Sequence, residues 1–343
     1  MSASGALSGI ATLDSVPSVR TATARTPDGV SALVADAEPV ILKGAIDHWP
    51  VLAAAAQSPA ALDSYLKKRD SGAPVPVMEA PPSTGGRFGY AADLREFSFT
   101  KRSRPLAETL ERIARAKNDP AAGYIAIQML PLDVQIPAFG HDNPMPLVPA
   151  SARPKLWLGG PVKTQIHNDR DHNLACVIAG HRRFLLFPPE QVSNLYVGPL
   201  DNPPPLSLID PENPDPTRFP RFVEALKAAR VAHLAPGDAL LMPRYWWHHV
   251  TSHDPYNAMV NYWWGDAGTG LDNPHEAFLA ALLALKSLPA HERDYWRAMF
   301  DLHVFGDTGA EHIPLKARGI LGPMTPSLRA TLKRRLRELA LKS

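Results

Sequence analysis

The chain has 343 residues, 45% of them hydrophobic, and its 36 basic and 34 acidic side chains leave a net charge of +2. That balance gives no general attraction for nucleic acid or an anionic membrane, and the length suits one large domain or two ordinary ones. A single cysteine, Cys176 in an apolar run, excludes an internal disulfide and is expected to be a small buried hydrophobe in a reducing compartment. Residues 1–15 are small and polar and are expected to be flexible. They lack the basic and apolar regions of a signal peptide, and no later window is long and apolar enough to span a bilayer. A cytoplasmic protein without a membrane partner is the expectation.

From Ser31 a short helical piece leads to a β-rich run at Pro39 to Leu42 and a turn at Lys43-Gly44. Ser58-Pro59 is a cap and first-turn pair that opens a helix over Ala60 to Arg69. Val75 to Glu79 reads as a strand, and Gly85 to Tyr90 as a turn entering another. Leu106, Leu110 and Ile113 recur at helical spacing within Pro105 to Lys117. Gly123 to Leu130 reads as a strand. A proline-rich loop, Pro131 to Pro154, leads to a short strand at Leu156 to Leu158. Asn173 to Ala179 and Phe184 to Phe187 are expected to form a hairpin across Gly180-His181. A second proline-rich excursion runs from Pro199 to Pro220; loops of that length are usually functional or disordered. Pro236-Gly237-Asp238 turns into strands at Ala239 to Met242 and Trp246 to Ser252, and Asn257 to Trp264 supplies one more. Many short strands between turn signals predict a mainly β protein with a jelly-roll core.

After Asp266 the pattern becomes helical. Asn273-Pro274 and Thr325-Pro326 are cap pairs, and another helix is expected over His291 to His303. In the last helix Leu328, Leu332, Leu336 and Leu339 form a stripe. This gives an expected division into a flexible N-terminus (1–15), a jelly-roll domain with an N-terminal α/β elaboration (16–270) and a helical region (271–343).

The chemistry centres on His167-Asn168-Asp169. On a strand, residues i and i+2 project to one face, so His167 and Asp169 converge while Asn168 looks away. One further histidine would complete a two-histidine, one-carboxylate site, which suits iron(II) with positions left open. Trp246-Trp247-His248-His249 offers it, and alternation allows only one of the two histidines inward.

The segments LWLGGPVKTQIHNDRDHNLACVIAGHRRFLLFPPEQ, LYVGPL, APGDALLMPRYWWHHV and NAMVNYWW resemble the cupin-like JmjC family of iron(II)- and 2-oxoglutarate-dependent dioxygenases, in particular the branch of the hypoxia-response asparaginyl hydroxylase. A weaker likeness covers EPVILKGAIDHWP. The resemblance implies a double-stranded β-helix with flanking helices and makes His248, not His249, the third ligand beside His167 and Asp169. It assigns Thr164, Asn173 and Asn261 to the 2-oxoglutarate pocket. Where the branch has a lysine, this chain has Arg182, which can hold a carboxylate bidentately; Arg183 is the alternative. Tyr124 lies near a family tyrosine that bonds the cosubstrate, in an alignment that slips by one against Ile125. Trp263 is expected to wall the substrate side or to be core.

The implied partners are 2-oxoglutarate, dioxygen and an unidentified primary substrate, a protein side chain or a small molecule, which would be hydroxylated with release of succinate. A homodimer built on the segment from Asn273 is also implied. Two other readings stand beside this one: a non-catalytic metal-binding cupin module acting in sensing or protein interaction, and another metal-cupin chemistry that needs no cosubstrate.

Overall fold

Eight strands between Arg153 and Trp264 pair as one long hairpin wound into a barrel. They are β1 (Arg153–Gly159), β2 (Lys163–Asn168), β3 (His172–Ala179), β4 (Arg182–Phe187), β5 (Arg230–Leu234), β6 (Ala239–Met242), β7 (Trp247–Ser252) and β8 (Asn257–Trp264). β1 pairs with β8, β2 with β7, β3 with β6 and β4 with β5, all antiparallel. This nesting is that of the expected double-stranded β-helix. In the computed structural model, residues 13–117, 119–200, 205–265, 273–306 and 309–340 are described; the flexible segment expected at the N-terminus lies outside them except for a 3-10 turn, Leu13–Ser15.

Among the described residues β6, β3, β8 and β1 lie side by side in a nine-stranded sheet, and β5, β4, β7 and β2 in a five-stranded one. Val40–Leu42 extends the larger sheet at β6, and Tyr124–Pro131, Val75–Ala80 and Thr100–Arg104 extend it beyond β1. The expected hairpin between β3 and β4 does not form. β3 bonds to β6 and β8 in one sheet, whereas β4 bonds to β5 and β7 in the other. The Gly180-His181 turn carries the chain across the barrel. It needs a glycine, because at φ 70° an added Cβ would also lie 2.3 Å from Asn257 Oδ1.

Alternation along the strands separates two cores. Leu156, Leu158, Leu174, Cys176, Val260 and Tyr262 face outward beneath the N-terminal helices, with Leu62, Leu66, Leu110 and Ile113 packed on them. Ala175, Val177, Phe184, Leu186, Leu240, Val250 and Met259 face inward between the sheets. Each Leu, Ile, Val, Phe or Met among them, fully buried, contributes about 1.5–3 kcal/mol of transfer free energy. Cys176 is free and buried, and burial drives its thiol far above the usual range.

The helices start where their caps are. Ser58 Oγ accepts from the Ala61 N–H at 3.1 Å at the head of Pro59–Lys67. Asn273 Oδ1 accepts from the His275 N–H at 3.0 Å before Pro274–Leu285, and Thr325 Oγ1 from the Leu328 N–H at 3.2 Å at the start of Pro326–Ala340. Ala290–Phe300 is the helix expected from His291. The chain separates into two compact units, Met1–Gly265 and Asp266–Ser343. The boundary expected near residue 270 lies outside the described residues. Among the described residues no helix is long and apolar enough to cross a membrane.

Candidate metal centre

β2 turns Ile166 into an outer core and His167 into the barrel, where it stands directly opposite His248 on β7. The two imidazole centroids are 4.2 Å apart. Asp169 follows the end of β2, and its Oδ2 lies 3.8 Å from His248 Nε2. One ligand atom from each of His167, Asp169 and His248 lies within 4.8 Å of the others, the only such group of three among the described residues. The Tyr245 N–H donates to the Asp169 carbonyl at 2.9 Å from a left-handed conformation, φ 70°, tying the turn before β7 to the carboxylate's own backbone.

The tautomer of both rings is set by what their outer nitrogens face. His167 Nδ1 lies 2.8 Å from the Gln165 carbonyl, and His248 Nδ1 lies 3.0 Å from the Trp246 carbonyl. A carbonyl only accepts, so each Nδ1 donates and each Nε2 lone pair is left for the centre. Burial, and then the neighbouring His167, hold the His248 pKa down to about 4. The ring is therefore neutral at physiological pH, the form a metal requires.

His249 points the other way. With Arg183, Lys163 and Thr251 it surrounds Glu212 from the long excursion. Lys163 and Arg183 form ion pairs with this carboxylate, the Thr251 hydroxyl donates to it at 3.3 Å, and His249 Nε2 lies 4.0 Å away. The His249 ring and the Lys163 ammonium hold the Glu212 carboxyl far below the usual range. Arg183 is thus spoken for on the outer face.

Arg182 is inside, opposite Leu234 and Ser252, and only 6% exposed. Its Nε has no acceptor and no carboxylate pairs with it among the described residues; burial alone lowers its pKa to about 10. Thr164 reaches the same interior by an irregularity. Thr164 and His167 are three residues apart, which on a regular strand would put them on opposite faces. β2 has one extra residue here, since His167 stands opposite His248 and Thr164 opposite Val250. Asn261 donates through Nδ2 to Asn173 Oδ1 at 2.7 Å, leaving Asn261 Oδ1 buried without a donor. Trp263 shares the inward face with Asn261, edge to face with Trp157 at 6.2 Å. Tyr124 also faces inward, packed with Phe88, Ala126 and Val162, while Ile125 lies in the outer core, so of those two the structure brings Tyr124 to the interior.

Two contributors, Gln165 and Glu212, escaped the sequence reading. Gln165 holds His167 through a backbone carbonyl, which any residue type supplies. Its amide also accepts from the Tyr90 N–H at 3.0 Å and donates to the Ser207 carbonyl. Glu212 sits in an excursion without periodicity. Of these, only the Thr164–His167 spacing, odd for a strand, signalled the bulge that Gln165 occupies.

The pattern of a family described as a cupin-like domain matches residues 28–269, more than half of the sequence. The chain belongs to the cupin-like family. Its relatives include the lysine-specific demethylase JMJ31 of Arabidopsis thaliana, 30% identical over 149 residues, which are 43% of this chain and 26% of that protein. The Jumonji C domain-containing protein 5 of Drosophila melanogaster is 29% identical over 238 residues, 66% of this chain and 54% of that protein. The human HSPB1-associated protein 1 is 39% identical over 112 residues, 32% and 22% of the two chains. The matches thus span between 22% and 54% of these relatives. With its JmjC relatives the chain is a cupin-like JmjC protein, of a family of iron(II)- and 2-oxoglutarate-dependent oxygenases.

Proposed function

We propose that this cupin-like protein is a hydroxylase that uses iron(II), 2-oxoglutarate and dioxygen, with His167, Asp169 and His248 as the metal ligands. The observation that supports it most is the pair of Nε2 lone pairs aimed with one carboxylate at a common point. Two neutral imidazoles and a carboxylate fit iron(II) and leave positions for a chelating cosubstrate and oxygen. When bound, the metal and its cosubstrates supply the oxidation: one oxygen atom ends in succinate as carbon dioxide leaves, and the other in a C–H bond of the second substrate.

Arg182 takes the distal carboxylate of 2-oxoglutarate. It is a buried cation with no counter-charge, and a buried charge requires one. Thr164 and Tyr124 offer hydroxyls on the same inward face, and the Asn173–Asn261 pair offers an unused amide oxygen. The Gln165 and Trp246 carbonyls hold the ligand rings in one tautomer throughout. Trp263 walls the substrate side. The name of the Arabidopsis thaliana relative JMJ31 denotes lysine demethylation, and the match spans 26% of that protein.

We further propose a homodimer in the cytoplasm. Not one described side chain from residue 273 on is buried, while Phe278, Leu283, Trp296, Val304 and Phe305 are exposed. Helices so apolar need a partner surface, and a second copy is the commonest one. A reducing compartment suits a lone cysteine.

Succinate release tests the activity. The expected result is succinate from added 2-oxoglutarate only when iron(II) is present, with loss in His248→Ala. Metal binding without any 2-oxoglutarate consumption would favour a sensing module instead.

A further inference from the structure

The barrel interior offers more polar capacity than a single cosubstrate uses. The Nε1–H groups of Trp157 on β1 and Trp263 on β8 are both buried and lack an acceptor. Lys155, two residues before Trp157 and so on the same inward face, sets its ammonium 5.1 Å from the centroid of the Trp263 ring. Among the described residues no carboxylate lies within ion-pair distance of it. A cation over an indole is held in place by the ring's negative face, and the half-buried Lys155 ammonium so held is available to an incoming anion. Buried indole N–H groups ordinarily have acceptors.

Register places this group at the metal end of the barrel. Lys155 stands opposite Asn261, Trp263 opposite Asn173 and Trp264 opposite His172, where the chain arrives from Asp169. Arg182 lies at the other end, beside the Gly180-His181 turn and opposite Ser252. A dicarboxylate stretched between the metal ligands and Arg182 therefore leaves the Lys155 ammonium and the Trp263 N–H without an anion.

We propose that the substrate to be oxidised bears a carboxylate near the reacting carbon, and that Lys155, with the Trp157 and Trp263 N–H donors, receives it. This rests on the oxygenase reading above. The carboxylate belongs either to a small free acid or to an aspartyl or glutamyl side chain in a peptide.

The test is calorimetry on the full chain loaded with manganese(II), 2-oxoglutarate being titrated first and then held saturating. The probes are N-acetyl-aspartate and N-acetyl-glutamate, the corresponding asparagine and glutamine amides, and blocked alanine pentapeptides with a central aspartate or asparagine. An acid is expected to bind at least about tenfold more tightly than its amide, within the small-molecule series for a free acid or only among the peptides for a side chain. Lys155→Met should abolish the preference without changing 2-oxoglutarate affinity, and Lys155→Arg, which keeps the charge, should restore it. No acid preference in either series, or a Lys155→Met variant that loses 2-oxoglutarate affinity instead, overturns the inference. A wild-type chain that takes up no 2-oxoglutarate overturns the oxygenase reading, and this inference with it.

Discussion

His248 and His249 are the same residue type one position apart, and only the pleat separates their roles. His248 is 3% exposed inside the barrel beside His167, and His249 is equally buried against the Glu212 cluster. His248→Ala should abolish manganese or iron binding, whereas His249→Ala should leave it largely intact; a metal titration of the two variants reads this directly. The same parity governs the arginines. Arg182→Ala removes a charge-assisted partner in a shielded pocket, worth on the order of 2–5 kcal/mol. The 2-oxoglutarate requirement should therefore rise at least about tenfold with the metal site retained. Arg183→Ala should leave that requirement unchanged, and the reverse outcome would move the anchor to Arg183.

At the scale of elements, much was legible because the signals are local. The cap pairs Ser58-Pro59, Asn273-Pro274 and Thr325-Pro326 each open a helix where expected. The His167–Asp169 spacing predicted that these two side chains converge, and the structure brings them together with His248. What the sequence could not show is which sheet a strand joins. β3, a turn and β4 read as a hairpin, since a turn fixes the reversal of the chain but not the hydrogen-bond partner. The helix Phe222–Ala228 and strand β5 went unread as well, because they are short and follow an aperiodic excursion.

Glu212 fastens that excursion to the outer face of β2, β4 and β7. Glu212→Gln should destabilise the fold by about 1–3 kcal/mol, the cost of leaving buried donors unmet. The pH dependence follows from the depressed carboxyl. A group whose pKa is lowered on folding stabilises above its unfolded value of about 4.3, and that contribution is lost as the pH falls below it. The stability gap between wild type and Glu212→Gln in denaturant unfolding should thus hold constant above about pH 5 and narrow steadily as the pH falls below about 4 toward the depressed folded value. A gap unchanged by acidification would mean that Glu212 acts by shape and not by charge. At the Gly180 turn, Gly180→Ala meets both a left-handed φ and the Asn257 carboxamide, and should cost about 1–3 kcal/mol.

For the whole molecule, the eight-strand nesting explains how the candidate ligands His167 and His248, about eighty residues apart in sequence, meet. β2 and β7 are remote in the chain and adjacent in the sheet, so His167 and His248 face each other across one ladder. The proposed dimer belongs to this scale too: light scattering should give twice the chain mass at micromolar concentration, and a monomer there would contradict it. The proposed oxygenase chemistry needs the ligand set and the cosubstrate anchor together. A crystal structure of the protein soaked with manganese(II) and 2-oxoglutarate tests both at once. The expected result is one ion held by His167 Nε2, Asp169 and His248 Nε2, with the distal carboxylate on Arg182. An ion bound elsewhere, or a carboxylate lying away from Arg182, would contradict it.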